Sequence, residues 1–307
     1  MIAILNDYIG DMILSEINAL TVETLLATHS KQKQASPDQL HRVYFKLKQI
    51  LEDAVNKDYI LRNPCNKVKA PRVPRPELRY LSVAEIQRLM ASLADTEQNH
   101  VDKYRPDYAR QTVTHSHVMA VRLALATGMR RGEILGLTWG SIGLDMCNLR
   151  ITQQMTSDGL KKPKTQNSNR MLSLDADTIQ RLKAWKAEQQ AFLSWIGIIQ
   201  GVDTPVISNE IGGWHDPAHF SRWWRMFTAS NGFKGLKLHE LRHTQATMLF
   251  AQGMDIKTVQ NRLGHTMAST TLDVYAGVIP SKDKEAADIM GAIMASKGAR
   301  ETKVVNL

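Results

Sequence analysis

The chain has 307 residues, 43% of them hydrophobic and 22% charged, a balance that suits one or two folded domains and excludes a disordered chain. Lys plus Arg number 39 against 30 Asp plus Glu, and the resulting charge of +9 points to a polyanionic partner, nucleic acid first of all. The longest apolar stretches, such as 118–126, are too short to span a membrane, no basic region opens the chain, and two cysteines (Cys65 and Cys147) exclude a disulfide framework, so a cytoplasmic protein is expected.

Residues 1–66 read as helical. Ser36-Pro37-Asp38-Gln39 has the form of a capping box, with Gln39 reaching back to the cap. Behind it Leu40, Val43, Tyr44, Leu47, Ile50, Leu51 and Val55 recur on one helical face. Asn63-Pro64 closes this unit. The stretch 67–80 carries three prolines and Lys67, Lys69, Arg72, Arg75 and Arg79. It reads as an extended linker, either simply solvated or laid along a phosphate backbone. A second capping box, Ser82–Glu85, starts a helix with Ile86, Leu89, Met90 and Leu93 inward. Residues 117–127 suit a buried helix, and 149–155 with 170–174 a β-hairpin round a polar turn. Helices are expected over 176–196, 217–230, 239–252, 255–263 and 281–296. The last carries Ala286, Ile289, Met290, Ile293 and Met294 as an apolar stripe that needs a groove, in its own domain or in a neighbouring protomer. The expected fold is mainly α with a small β-sheet.

His239-Glu240-Leu241-Arg242-His243 admits two chemistries. As HExxH it would hold zinc, with Glu240 activating water. A third ligand is missing: Ala246 and Leu249 stand at the offsets of the extended motif, and the next Glu is Glu285. Arg242 would also place a cation beside the metal. Alternatively, His239 and Arg242, three apart on one helical face, hold a phosphodiester. That reading needs further cations for a metal-free phosphoryl transition state. Arg130 follows a glycine turn with Glu133 three residues on, Lys164 lies in the polar turn, His265 follows Leu263-Gly264, and Tyr275 offers a nucleophilic phenol. Singly, each has an ordinary role: a surface ion pair, a solvated lysine, a helix C-cap, a packed ring.

In this order, and with their flanking strings ATGMRRGEILGLTW (126–139), PKTQNSNRMLSL (163–174), LHELRHTQATMLFAQG (238–253) and NRLGHTMASTTLDVYAGV (261–278), they resemble the tyrosine recombinases of the phage-integrase family. YIGDMILSEI (8–17) and KDYILRNPCNKVKAP (57–71) are similar to that family's core-binding domain, so the resemblance covers nearly the whole chain. It implies a helical core DNA-binding domain over 1–66, lacking its first helix, a basic linker over 67–80, and a mixed α/β catalytic domain over 81–307. It further implies that Arg130 and Arg242 grip the scissile phosphate, Glu133 buttresses Arg130, and Tyr275 attacks phosphorus to form a 3′-phosphotyrosine. Lys164 would protonate the 5′ leaving oxygen, His239 would act as base, and His265 would hydrogen-bond the phosphate. His243 is expected to be structural, and Arg131 receives no role. No cofactor or metal is expected. The implied partners are duplex DNA at attachment sites, three further protomers in a homotetramer on DNA (the free protein being monomeric), and DNA-bending accessory proteins, all at the nucleoid. The implied activity is integration or excision of a prophage or mobile element. Competing expectations are a type IB topoisomerase, against which the helical N-terminal domain argues, a DNA-binding regulator of the same fold, and the zinc metallopeptidase.

Overall fold

In the computed structural model, which describes residues 1–74, 79–98, 108–162 and 169–264 together with Asp288 and Met290, helices dominate and the strands form small antiparallel sheets. The chain divides into two units, Met1–Glu77 and Leu78–Leu307. Among the described residues no helix is long and apolar enough to cross a membrane.

The first unit packs α1 (Ile2–Ile9), α2 (Ala19–Lys33) and α3 (Pro37–Asn56) around Leu5, Val22, Leu25, Val43, Tyr44, Leu47 and Leu51. The N-terminus of α3 is capped as expected on one side only: Ser36 Oγ accepts the Gln39 N–H at 3.2 Å. Gln39 does not reach back. Its side-chain amide lies 3.2 Å from Nε2 of His29, whose Nδ1 is 3.3 Å from the Tyr8 hydroxyl. A buried imidazole needs polar partners more than an exposed helix end does. Ile50, expected on the inner face, is 39% exposed, because it sits at the edge of the buried arc that Val43, Leu47, Leu51 and Ala54 define. The Tyr44 hydroxyl meets the carbonyls of Cys65 (2.9 Å) and Val68 (3.0 Å), so packing continues past Asn66 into the stretch read as linker, where Val68 is buried.

In the second unit α4 (Val83–Gln98) begins with the reciprocal cap: Ser82 N–H donates to Glu85 Oε2 (2.8 Å) and Glu85 N–H to Ser82 Oγ (3.3 Å). Helix α5 (Tyr108–Thr127) starts earlier than expected and runs through the core, with Val118, Ala120, Val121 and Leu123 fully buried. Its first turns bury Tyr108, Thr112 and Ser116, and an inner face built largely of polar residues leaves no apolar stripe to mark the beginning. Helices α7 (Ala176–Trp195), α8 (Pro217–Ser230), α9 (Leu238–Ala251) and α10 (Ile256–Leu263) fall where their periodicity places them. Asp175, Asp216 and Asp255 cap α7, α8 and α10. Of the helix expected over 281–296 only Asp288 and Met290, both helical and exposed, lie within the described residues.

The expected hairpin proves to be two structures. Strands β1 (Ile142–Gly143), β2 (Asn148–Ile151) and β5 (Arg170–Ser173) form one antiparallel sheet in the order β1-β2-β5, with Leu149 opposite Leu172. Between β2 and β5, β3 (Gln154–Thr156) and β4 (Gly159–Lys161) make a separate hairpin, to which Met155 belongs. Strand β3 lies against the short helix α6 (Arg131–Leu135) because Gly132 has no side chain: a Cβ there would stand 2.7 Å from the Met155 carbonyl oxygen.

Candidate active site

The site begins where α5 ends. Gly128 adopts φ +65°, and its N–H closes the helix on Ala124 O at 2.9 Å. A Cβ at this position would lie 2.2 Å from Gln245 Oε1 and 2.5 Å from Leu263 Cδ2, so both conformation and space demand glycine. Two residues on, Arg130 caps α6. Its N–H donates to Glu133 Oε2 (2.9 Å), while its Nη1 donates to Glu133 Oε1 (2.9 Å) and its Nη2 to Gly264 O (3.2 Å). Carboxylate and guanidinium, three residues apart, are thus locked across one helical turn.

Two further arginines converge from distant elements. Arg242, on α9 and 2% exposed, donates from Nη1 to Gly128 O and from Nη2 to Leu263 O, both at 2.6 Å. Its buried Nε has no hydrogen-bond partner among the described residues. Arg170, at the start of β5, donates from Nη1 and Nη2 to the two carboxylate oxygens of Glu133 (3.3 and 3.0 Å) and from Nε to Arg262 O (2.8 Å). The consecutive carbonyls of Arg262, Leu263 and Gly264 are therefore each satisfied by a different arginine. Helix C-termini leave carbonyls unpaired and carry a partial negative charge, so the end of α10 is a natural seat for guanidinium groups.

The electrostatics follow from this packing. Burial alone would raise the Glu133 pKa, but the hydrogen bonds and charge of Arg170, then of Arg130, outweigh it and hold the carboxyl below its usual range. Burial, with repulsion from Arg130 and Arg170 and against the pull of Glu133, brings Arg242 down to about 9, so it remains a cation at neutral pH. Two guanidinium groups on one carboxylate, with Arg242 close enough to feel all three, leave an excess of positive charge, and the Arg242 Nε, unpartnered among the described residues, is a spare donor there.

His239 and Arg242 share one face of α9, as their spacing predicts. Although its residue surface reaches solvent, the imidazole is crowded by its surroundings; this desolvation, followed by His243, Arg242 and Arg130, lowers its pKa to about 4, which leaves it neutral and able to accept a proton at pH 7. The His239 and His243 rings meet edge to face, 4.8 Å between centroids. Glu240, the water-activating residue of the zinc alternative, caps the helix instead, its Oε2 accepting the Lys237 N–H at 2.9 Å. No group of three or more His, Cys, Asp or Glu among the described residues could hold a metal ion.

Of the residues singled out in the sequence, Arg130 and Glu133 meet directly, Arg242 is anchored on the Leu263 carbonyl next to the Gly264 carbonyl that holds Arg130, and His239 stands one turn from Arg242. Lys164, His265, Tyr275 and Arg75 lie outside the described residues. Lys67, Lys69, Arg72 and Arg79 are exposed, and Arg79 also donates to Lys234 O at 3.3 Å. Arg131 donates to Pro217 O (3.3 Å) and to Ser221 Oγ, tying α6 to α8. Sequence reading missed Arg170. A signal was present: two-residue alternation puts Arg170 on the same strand face as buried Leu172, and a cation on an inward face requires a buried acid.

Residues 79–281 match the phage integrase family. Over 295 residues the chain is 27% identical to the ICEBs1 integrase of Bacillus subtilis (strain 168), an alignment spanning 93% of this chain and 74% of that one. Over 266 residues it is 27% identical to the tyrosine recombinase XerC-like protein of Caldanaerobacter subterraneus subsp. tengcongensis, covering 80% of this chain and 63%, less than two thirds, of the relative. Among solved structures, the Tn1549 transposon integrase in complex with transposon right end DNA shares the fold at a TM-score of 0.72 and 19% identity, over 95% of this chain and 90% of that chain. A lambda integrase dimer bound to a COC′ core site shares it at 0.60 and 16% identity, over 89% and 85%.

Proposed function

The chain belongs to the phage integrase family of tyrosine recombinases, and from that premise we propose that it is a site-specific recombinase that integrates or excises a prophage or mobile element through a 3′-phosphotyrosine. The observation that carries this reading is the pairing of Arg130 and Arg170 with the buried carboxylate of Glu133, with Arg242 anchored beside them on the end of α10 and its Nε unpartnered among the described residues. Such a cluster suits a phosphodiester, whose non-bridging oxygens accept charge-assisted hydrogen bonds in fixed directions. Arg130 and Arg242 are assigned to those oxygens, where donors oriented before reaction stabilise the charge that builds on phosphorus. Tyr275 attacks phosphorus, its phenolic proton passing to His239. The bond to the 5′ oxygen breaks, and Lys164 protonates that oxygen. His265 hydrogen-bonds the phosphate. Burial is the main cause that depresses His239, but a docked phosphodiester offsets the share contributed by Arg242 and Arg130, so that share no longer weakens the imidazole as a base. The phosphodiester energy is kept in the phosphotyrosine and returned on rejoining, and the scheme uses neither ATP nor metal.

The proposed partner is duplex DNA at attachment sites, in keeping with the DNA held by the Tn1549 and lambda integrases. Residues 1–66 are assigned to core-site binding, and Lys67, Lys69, Arg72, Arg75 and Arg79 to the phosphate backbone. Strand exchange is assigned to a homotetramer assembled on DNA from protomers that are monomeric when free, with DNA-bending proteins assisting at the nucleoid. The test is recovery of DNA from denatured protein. Wild type should retain a covalently attached strand whose sequence defines the site, and Tyr275→Phe should bind the same DNA without an adduct. DNA binding by wild type with no covalent strand would favour the regulator of the same fold.

A further inference from the structure

We infer that Arg170 is a positioning residue for strand cleavage, acting through Glu133 on Arg130; the inference rests on the recombinase reading above. Glu133 Oε1 accepts from Arg130 Nη1 (2.9 Å) and Arg170 Nη1 (3.3 Å), and Oε2 accepts from the Arg130 N–H (2.9 Å) and Arg170 Nη2 (3.0 Å). Arg170 therefore takes the carboxylate with its full fork, while the Arg130 side chain contacts it through a single nitrogen. This division has a consequence for catalysis. An unshared Glu133 could rotate to form a bidentate pair with Arg130, satisfying both terminal nitrogens and turning them from the phosphate. Arg170 blocks that pairing by occupying both oxygens. With its side chain 8% exposed, against 38% for Arg130, it is itself withdrawn from the substrate side.

A second set of contacts fixes the same residue from another direction. Arg170 on β5 donates to the Arg262 carbonyl on α10 at 2.8 Å, and Arg262 Nη2 returns a contact to the Ser173 carbonyl on β5 at 3.4 Å. The crossed pair bolts β5 to the last turn of α10, whose Leu263 and Gly264 carbonyls anchor Arg242 and Arg130. In the sequence, Lys164 stands six residues before the start of β5, and His265 two residues after the end of α10. One buried arginine thus sets the orientation of Arg130 and joins the two elements from which these chain segments depart.

The experiment uses single-turnover cleavage of a nicked duplex built from the strand recovered on wild-type protein, alongside DNA affinity and thermal unfolding. Arg170→Lys keeps the charge but loses the fork. It should stay folded and bind the duplex as wild type does, yet cleave about 10²-fold more slowly, the scale of a small misplacement of a catalytic group. The acid limb of its pH–rate profile should move up, since Glu133 loses the partner that contributes most to keeping it ionised. Arg170→Ala should slow wild type strongly but slow a Glu133→Gln background by no more than roughly 2–3-fold, because its route of action is already gone. Equal losses in both backgrounds, an unmoved acid limb, or a folded Arg170→Lys that cleaves at the wild-type rate would each overturn the inference while leaving the recombinase reading intact. Absence of any adduct with wild type would overturn both.

Discussion

Replacing Glu133 by Gln changes one oxygen to an amide nitrogen at nearly constant volume and removes the only acid contacting the arginine cluster among the described residues. The carboxylate is 3% exposed and accepts from four donors: the Arg130 N–H and Nη1, and both terminal nitrogens of Arg170. In Glu133→Gln the new NH₂ must face guanidinium or backbone donors, and the buried Arg170 and Arg242 keep their charge without a counterion. Breaking a buried ion pair from one side costs about 3–5 kcal/mol, and the partial exposure of Arg130 places this case toward the lower end. For a domain of this size that corresponds to a fall in Tm of roughly 6–15 °C. The effect has a definite pH signature. The folded pKa of Glu133 lies below its ordinary value, so its contribution is present in full above the ordinary carboxylate range and is lost as pH falls through the folded pKa. Unfolding of wild type and Glu133→Gln, followed by circular dichroism between neutral pH and pH 3, should therefore show a gap that is widest at neutral pH and closes on acidification. A gap independent of pH would mean that the ionised carboxylate is not what the variant loses, and the electrostatic account of the site would fail.

Gly128→Ala should destabilise by about 2–5 kcal/mol, combining left-handed backbone strain with overlap at Gln245 and Leu263, and should slow cleavage by displacing the carbonyl that anchors Arg242; calorimetry showing no loss of stability would contradict the geometry. Lys164→Ala should slow cleavage by roughly 10²–10⁴-fold, and a substrate with sulfur in place of the 5′ leaving oxygen should recover most of that loss. Equal impairment on both substrates would remove the general-acid role. Chelators should leave DNA cleavage unchanged, whereas chelator-sensitive peptide hydrolysis with stoichiometric zinc would restore His239, Glu240 and His243 as a metal site.

What the sequence determined by itself was local. Ser82 and Glu85 lie three residues apart, and their reciprocal cap forms within one turn whatever surrounds it. The same holds for Arg130 with Glu133 and for His239 with Arg242, pairs whose spacing alone sets a common face, and helices α7 to α10 follow from periodicity and an aspartate or proline at three of their starts. Tertiary structure decided whatever depends on distant partners. Gln39 abandons its cap for His29 because a buried ring competes for it. The start of α5 escapes notice because its inner face there includes Thr112 and Ser116, polar residues that only the surrounding fold buries. Most of all, Arg170 reaches Glu133 across 37 residues and Arg262 across 92, while Arg242 reaches Gly128 across 114. Helix α10 ends with three carbonyls to satisfy, those of Arg262, Leu263 and Gly264, and only the assembled fold brings Arg170, Arg242 and Arg130 there.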